Sequence, residues 1–253
     1  MKRLKLTKLQ WHNYRNKLHI LDKYEKNRFY NALVYPFLFV TIIGLIHFAQ
    51  YVFEVSFVSL GVYPRSLKGL IGIITSPLIH GDINHLFNNS IPLLILGSAV
   101  FYFYKKVALR VVVWIYLMVG VWTWISARES YHIGASGLIY GLFAFLLVSG
   151  FLRKNTQLIS LSFFVVMVYG SMVWGIFPIK VNISFEGHLW GFVAGIVLAI
   201  YYRKQGPQKE VFIWREEDEL DDENDYWNVD ENGDRINKPL PPKINYIFKA
   251  KEK

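Results

Sequence analysis

Residues 29–53 read FYNALVYPFLFVTIIGLIHFAQYVF, a stretch of 25 residues with no Asp, Glu, Lys or Arg. An α-helix rises about 1.5 Å per residue, so this stretch is long enough to cross the roughly 30 Å hydrocarbon core of a bilayer. Uncharged apolar runs of about 18 residues or more are typical of transmembrane helices. The run therefore predicts a membrane span.

Five further apolar runs follow along the chain, each bounded by charged residues, prolines or polar turns. The fourth of the six is short, which indicates that it begins within the thickness of the membrane. The predicted spans are residues 29–53, 85–104, 107–127, 136–152, 158–177 and 188–202. We therefore predict an all-α, polytopic membrane protein with six transmembrane helices.

The composition agrees with this class of protein. Apolar residues make up 53% of the 253 residues and charged residues only 19%, which leaves little polar surface for a water-soluble domain. The chain has no cysteine, so disulfide bonds and thiolate chemistry are excluded. The length is that of one ordinary domain.

The placement of positive charge predicts the orientation of the spans. Lys and Arg are concentrated before the first run and in the turns after the second, fourth and sixth runs, whereas the predicted outer loops hold few. Cytoplasmic flanks of membrane spans carry such an excess. We expect both termini in the cytoplasm, an uncleaved first span, and no nucleic-acid partner despite the net charge of +9.

The predicted organisation has three parts. Residues 1–28 form a basic cytoplasmic segment, residues 29–203 the membrane domain, and residues 204–253 a cytoplasmic tail that is acidic and then basic. The tail's composition cannot build a core, so we predict disorder there. A faint likeness to a calcium loop near Asp230 fails, because Pro239 stands where the bidentate Glu belongs.

Polar residues recur at the outer ends of spans two, four and six, which all run inward and so share one depth. These residues are His85, Asn89, Ser136 and His188. Ionisable groups inside a membrane are costly and by default mark function. A serine needs a nearby base to become a nucleophile. We therefore predict Ser136 as nucleophile and His188 as its general base.

The remaining two residues fit an oxyanion hole. His85 and Asn89 are one helical turn apart on one face, and both can donate hydrogen bonds to a developing oxyanion. The backbone N–H of Ser136 lies near a helix N-terminus and is a third donor. His80 and His85 have poor spacing for a metal pair, and no thiol or carboxylate cluster accompanies them, so no metal site is predicted.

Glycines on spans four and six predict that the two helices approach closely. Such small-xxx-small faces let membrane helices come into contact. The faces consist of Gly137 and Gly141 on span four and of Gly187, Gly191 and Gly195 on span six, and Gly134 precedes Ser136 in the same stretch. The sequence offers no third member for a Ser–His–Asp triad, and Glu186 is expected to be a solvated loop charge. Tyr140, one turn below Ser136, is placed either to pack on the His188 ring or simply to fill the helix interface.

These residues resemble the motifs of the rhomboid family of intramembrane serine proteases. The motifs are His80-x4-His85-x3-Asn89, Gly134-x-Ser136-Gly137 and His188-x2-Gly191-x3-Gly195, in this order over residues 30–203. The resemblance implies a Ser136–His188 dyad and an oxyanion hole of His85, Asn89 and the Ser136 amide. It also implies that Tyr140 lies against His188 and that His80 supports the site.

The resemblance further implies transmembrane protein substrates, a lipid environment and no metal or organic cofactor. The chain departs from many rhomboids in two respects. Its first outer loop reads Tyr63-Pro-Arg-Ser66 without a Trp-Arg pair, and Gly187 stands before the second histidine where Ala is frequent. A bacterial plasma membrane is the expected location. The alternatives are a catalytically silent rhomboid-like binding protein, a transporter and a membrane scaffold.

Overall fold

The structure is a computed structural model that describes residues 8–154, 156–168, 174–178 and 184–206. Within these residues the fold is all-helical, and the only β-type pairing is an isolated bridge between Val62 and His132. The helices are α1 Lys8–Val52, α2 Gly72–Thr75, α3 Ile83–Phe103, α4 Ala108–Ser126, α5 Ser136–Arg153, α6 Thr156–Val168 and α7 Phe185–Tyr201. The predicted disordered tail lies outside the described residues.

Among the described residues, four helical segments are long and apolar enough to cross a membrane. They are Lys23–Val52 of α1, Ile83–Phe103, Ala108–Ser126 and Ser136–Arg153. Helix α7 is apolar but has only 17 residues, and α6 is described over 13. The four spans establish the membrane class, whereas the count of six and the orientation remain predictions.

Several predicted helix ends differ from those in the structure. Helix α1 begins at Lys8, within the basic segment assigned to residues 1–28. Helices α3 and α7 begin at Ile83 and Phe185, before the predicted starts at His85 and His188. The reason is capping, because the side chains of Asp82 and Ser184 accept hydrogen bonds from the first-turn amides of His85 and Gly187.

The fifth predicted span, residues 158–177, is also corrected at both ends. Helix α6 begins at Thr156, and residues 175–178 form a turn rather than helix. A backbone hydrogen bond of 3.1 Å from Phe177 N–H to Trp174 O closes that turn. The turn matters for the site described below, because it brings a carbonyl group to His188.

Helix α5 forms the centre of the bundle. In its most apolar stretch 72% of residues are buried, against 17% for α1 and 28% for α4. It packs against α3, α4, α6 and α7, and its side chains Leu142, Phe145 and Leu146 are fully enclosed. Helices α1 and α4 instead expose large apolar side chains, as expected for surfaces that face lipid.

The close approach predicted for the two glycine-bearing helices is present between α5 and α7. A Cβ atom added to Gly191 would overlap the carbonyl of Gly137, and one added to Gly195 would overlap the carbonyl of Gly141. The backbones therefore touch, which only glycine permits at these positions. This contact holds the N-terminal ends of α5 and α7 side by side.

The loop between α1 and α3 is anchored by Arg65 and Trp124 in the absence of a Trp-Arg pair. Arg65 donates from its backbone N–H to Trp124 O (3.0 Å) and from Nη1 to Ala127 O (2.9 Å). Trp124 Nε1 donates in return to Ser66 O (2.9 Å). These bonds fix the loop on the C-terminal end of α4.

Candidate active site

Ser136 and His188 form the centre of the site, on two helices that the glycine contact holds together. Ser136 is the first residue of α5, and His188 lies in the first turn of α7. The distance from Ser136 Oγ to His188 Nε2 is 2.7 Å, a hydrogen bond across 52 residues of sequence. A serine hydroxyl and an imidazole nitrogen at this distance have the geometry for nucleophile activation.

The second nitrogen of His188 has a partner that the sequence did not reveal. His188 Nδ1 lies 2.8 Å from the carbonyl oxygen of Gly175, in the turn after α6. A carbonyl oxygen only accepts, so Nδ1 carries the hydrogen and Nε2 is left as the acceptor for the Ser136 hydroxyl. The carbonyl therefore orients the ring as the acid of a Ser–His–Asp triad would.

Tyr140 lies on the other side of the same imidazole. Its ring stacks on that of His188, with centroids 4.3 Å apart and planes 12° from parallel. Gly175 must be small here, because an added Cβ would overlap the Tyr140 hydroxyl and lie 3.0 Å from His188 Nδ1. Of the two sequence-based interpretations of Tyr140, the structure places it against the histidine.

The side chains of His85 and Asn89 converge on the loop before Ser136. A Cβ built on Gly134 would lie 2.5 Å from His85 Nε2 and 3.5 Å from Asn89 Nδ2. Gly134 has φ of +102°, and its N–H donates to Ser76 O at 2.8 Å. Only glycine combines this backbone angle with so close an approach to the His85 ring. Asn89 Nδ2 is buried and forms no hydrogen bond within the described residues.

His80 lies behind this cluster, in the loop that leads into α3. Its ring meets that of His85 edge to face at 4.9 Å, and its carbonyl accepts from Gln50 Nε2 at 3.0 Å. Burial lowers the pKa of His80 to about 3, and the nearby His85 and His47 act in the same direction. His80 is thus a neutral, enclosed neighbour of His85.

A second Ser–His pair, which was not predicted from the sequence, lies four residues before the dyad residue on each of the two elements. Ser184 Oγ is 2.6 Å from His132 Nδ1, and His132 Nε2 is 3.1 Å from Arg128 O. Burial lowers the pKa of His132, which favours the neutral ring. The signal available in the sequence was the matching spacing, since His132 precedes Ser136 by four residues and Ser184 precedes His188 by four.

The expectation that Glu186 is a solvated charge is wrong. Glu186 is 8% exposed, and its carboxylate lies 3.6 Å from Arg128 Nη1 and accepts from the Arg128 backbone N–H at 3.3 Å. Position 186 is in the first turn of α7, where the helix dipole also favours negative charge. The carboxylate pairs with Arg128 and has no bond to His188.

A small cavity of about 30 Å³ opens beside Ser136. Its polar lining includes Ser76, Thr123, His132 and Ser184, and Thr123 Oγ1 is buried without a hydrogen bond among the described residues. A cavity of this size and polarity accommodates a water molecule. No group of three metal-ligating side chains occurs in the part of the chain that the structure covers.

Comparison with known proteins agrees with the motifs. The protein-family model of the Rhomboid domain matches residues 68–205 of the sequence. This range is more than half of the chain and includes both Ser136 and His188. The chain belongs to the rhomboid family. This rhomboid is therefore a multi-pass membrane protein of a family that includes intramembrane serine proteases.

Similar proteins occur in mycobacteria. An uncharacterized protein of Mycobacterium tuberculosis is 35% identical over 188 residues, which span 68% of this chain and 75% of the relative. An uncharacterized protein of Mycobacterium leprae is 30% identical over 209 residues, or 76% of this chain and 80% of the relative. The likeness thus extends over most of both relatives.

Proposed function

We propose that this rhomboid is an intramembrane serine endopeptidase that uses a Ser136–His188 dyad. The observation that carries the proposal is a pair of hydrogen bonds on the His188 ring, from Nδ1 to Gly175 O at 2.8 Å and between Nε2 and Ser136 Oγ at 2.7 Å. These two bonds leave Nε2 able to accept a proton and the serine oxygen ready to attack.

Acylation follows from these positions. His188 Nε2 takes the hydroxyl proton as Ser136 Oγ attacks the scissile carbonyl carbon of a substrate. The resulting imidazolium is stabilised by the Gly175 carbonyl at Nδ1 and by the stacked ring of Tyr140. The proton then passes from Nε2 to the leaving amine, and the peptide bond breaks.

We assign the stabilisation of the oxyanion to three hydrogen-bond donors around Gly134. They are the Ser136 backbone N–H, Asn89 Nδ2 and the His85 ring, and the two side chains lie close to Gly134. Donors held in place before the reaction stabilise the developing charge without reorganisation. Such electrostatic stabilisation usually contributes more to the rate of acyl transfer than any other single effect.

Deacylation needs water inside an apolar bundle. The polar cavity beside Ser136 is placed to hold a water molecule close to the acyl carbon. His188 Nε2 accepts a proton from this water as it attacks, and Ser136 Oγ recovers its hydrogen when the acyl bond breaks. The mechanism needs no metal or organic cofactor.

The membrane setting completes the proposal. We assign six spans within residues 29–203, both termini in the cytoplasm, and the site near the outer leaflet of a bacterial plasma membrane. Single-pass membrane proteins are the proposed substrates. Their scissile segment must unwind before it reaches Ser136, because the backbone of a helix is shielded by its own hydrogen bonds.

Labelling with a fluorophosphonate tests the dyad directly. The purified protein in detergent should form a covalent adduct that peptide mass spectrometry locates on Ser136, and His188→Ala should abolish the adduct while the protein stays folded. The matched control is Ser90→Ala, because Ser90 is a buried serine whose hydroxyl, among the described residues, bonds only to Leu86 O at 2.8 Å. An adduct on another residue, or none at all, would favour the silent binding protein.

A further inference from the structure

The Ser–His pair outside the dyad repeats its crossed arrangement, although Nδ1 rather than Nε2 faces the serine. His132 and Ser136 lie on one element, the loop and first turn of α5, and Ser184 and His188 lie on the other, the first turn of α7. Each histidine bonds to the serine of the opposite element, at 2.6 Å for His132–Ser184 and 2.7 Å for Ser136–His188.

The direction of each bond in the outer pair is determined. Arg128 O only accepts, so His132 Nε2 donates to it, and Nδ1 must accept the hydroxyl hydrogen of Ser184. Ser184 Oγ in turn accepts from the Gly187 N–H at 3.3 Å and caps α7. Arg128 O, His132 and Ser184 are thus hydrogen-bonded in the same order as Gly175 O, His188 and Ser136.

The glycine contact between α5 and α7 does not by itself set their register. Gly187, Gly191 and Gly195 recur every four residues, as do Gly137 and Gly141. A shift of α7 by one turn, about 5.4 Å, again brings glycine opposite glycine. Such a shift removes His188 from Ser136, so another contact must select the productive register.

We propose that the His132–Ser184 pair is this contact: a positioning clasp that fixes the register of α7 on α5 and so brings His188 Nε2 to Ser136 Oγ. The inference deepens the proposed function and rests on it for its catalytic consequence. His132 and Ser184 also line the small polar cavity beside Ser136, and we assign them a positioning role for the dyad rather than contact with the reacting atoms. The ion pair between Arg128 and Glu186 lies at the same end of α7 and supports the clasp.

Ser184→Gly tests the clasp with little loss of helix capping, because glycine is a tolerated N-cap whereas alanine is not. Cleavage of a membrane substrate should show kcat lowered about 10- to 100-fold with KM nearly unchanged, since misplacement by about 1 Å can cost as much. Ser184→Asn should restore most of kcat, because its amide can accept from Gly187 N–H and donate to His132 Nδ1.

The matched control is Ser126→Ala. It removes another hydrogen bond to α7, from Trp190 Nε1 to Ser126 Oγ at 2.7 Å, without touching the clasp. We expect its kcat to stay near that of the wild type. A Ser184→Gly variant with wild-type kcat per folded molecule would overturn the clasp, as would equal losses in Ser184→Gly and Ser126→Ala.

A distance measurement tests the register independently of activity. The chain has no cysteine, so spin labels can be attached at cysteines placed at the exposed positions Leu152 of α5 and Leu189 of α7. Ser184→Gly should add a second distance, displaced by up to about 5 Å, that Ser184→Asn removes. An unchanged single distance refutes the clasp, whereas a wild type that cleaves nothing refutes the proposed function.

Discussion

At the residue scale, the chemistry of the site depends on which atoms carry hydrogen. Gly175 O and the Ser136 hydroxyl assign the two nitrogens of His188, and Gly134 leaves room for the donors of His85 and Asn89. Each of these contacts joins residues that lie 13 or more positions apart in the chain. The effect of changing one residue can therefore be stated atom by atom.

Asn89→Ala should lower kcat about 100- to 1,000-fold and leave KM nearly unchanged, because the amide stabilises the oxyanion only in the transition state. Steady-state cleavage of a membrane substrate measures this. Ser90→Ala is the neighbouring control, since it removes an intrahelical bond to Leu86 O and should keep kcat. A loss that appears in KM alone would remove Asn89 from the oxyanion hole.

Gly134→Ala should both destabilise the protein and suppress cleavage. The backbone angle of +102° is strained for alanine, by about 1–3 kcal/mol, and the new methyl group would displace the His85 ring. Gly81→Ala is the control, because its Cβ would lie 3.8 Å from Ile133 Cδ1 and meet nothing closer. Equal melting temperatures and rates for the two variants would contradict this account of Gly134.

The residues of the proposed dyad could be predicted from the sequence, whereas the third partner could not. Ser136 and His188 stand out because a polar side chain in an apolar run is unusual. Gly175 contributes a backbone carbonyl, which every residue possesses, so no side-chain pattern marks it. His132 was missed and Glu186 was wrongly expected to be solvated, because their partners Ser184 and Arg128 become neighbours only when the loop before α5 packs against the start of α7.

At the element scale, the contact between α5 and α7 carries the site. Hydropathy predicted the four spans found among the described residues, and the glycine spacing predicted that α5 and α7 touch. The hydropathy pattern did not predict the first turns of α3 and α7. The capping residues Asp82 and Ser184 are polar and precede the apolar runs, so hydropathy gave no signal for these turns.

Gly191→Ala should lower the free energy of unfolding by about 1–3 kcal/mol, since the methyl group would overlap the Gly137 carbonyl and force the helices apart. It should also reduce cleavage, because Ser136 and His188 separate with the helices. Thermal unfolding in detergent measures the first effect. Gly44→Ala in α1 is the matched control: nothing lies within 4 Å of its Cβ, so stability should hold or rise slightly.

At the scale of the whole molecule, buried histidines in the loops tie stability to pH. Burial lowers the pKa of His80 to about 3 and lowers that of His132 below its ordinary value of 6.5. The unfolded chain therefore binds protons at a pH where the native protein does not. Stability is full above about pH 6.5 and falls as the pH drops below that value.

The melting temperature should therefore decrease between about pH 7.5 and pH 5, and the decrease should be smaller in His80→Gln, which cannot titrate there. Scanning calorimetry at constant ionic strength measures both proteins. If His80→Gln loses as much stability on acidification as the wild type does, His80 is not a source of the pH dependence.

Cleavage in a membrane tests the central claim most directly. The wild type should be reconstituted into liposomes with a single-pass substrate, beside Ser136→Ala and the control Ser90→Ala, and the products identified by mass spectrometry. We predict cleavage within or next to the transmembrane segment by the wild type and Ser90→Ala, and none by Ser136→Ala. Products that persist in Ser136→Ala would contradict the account.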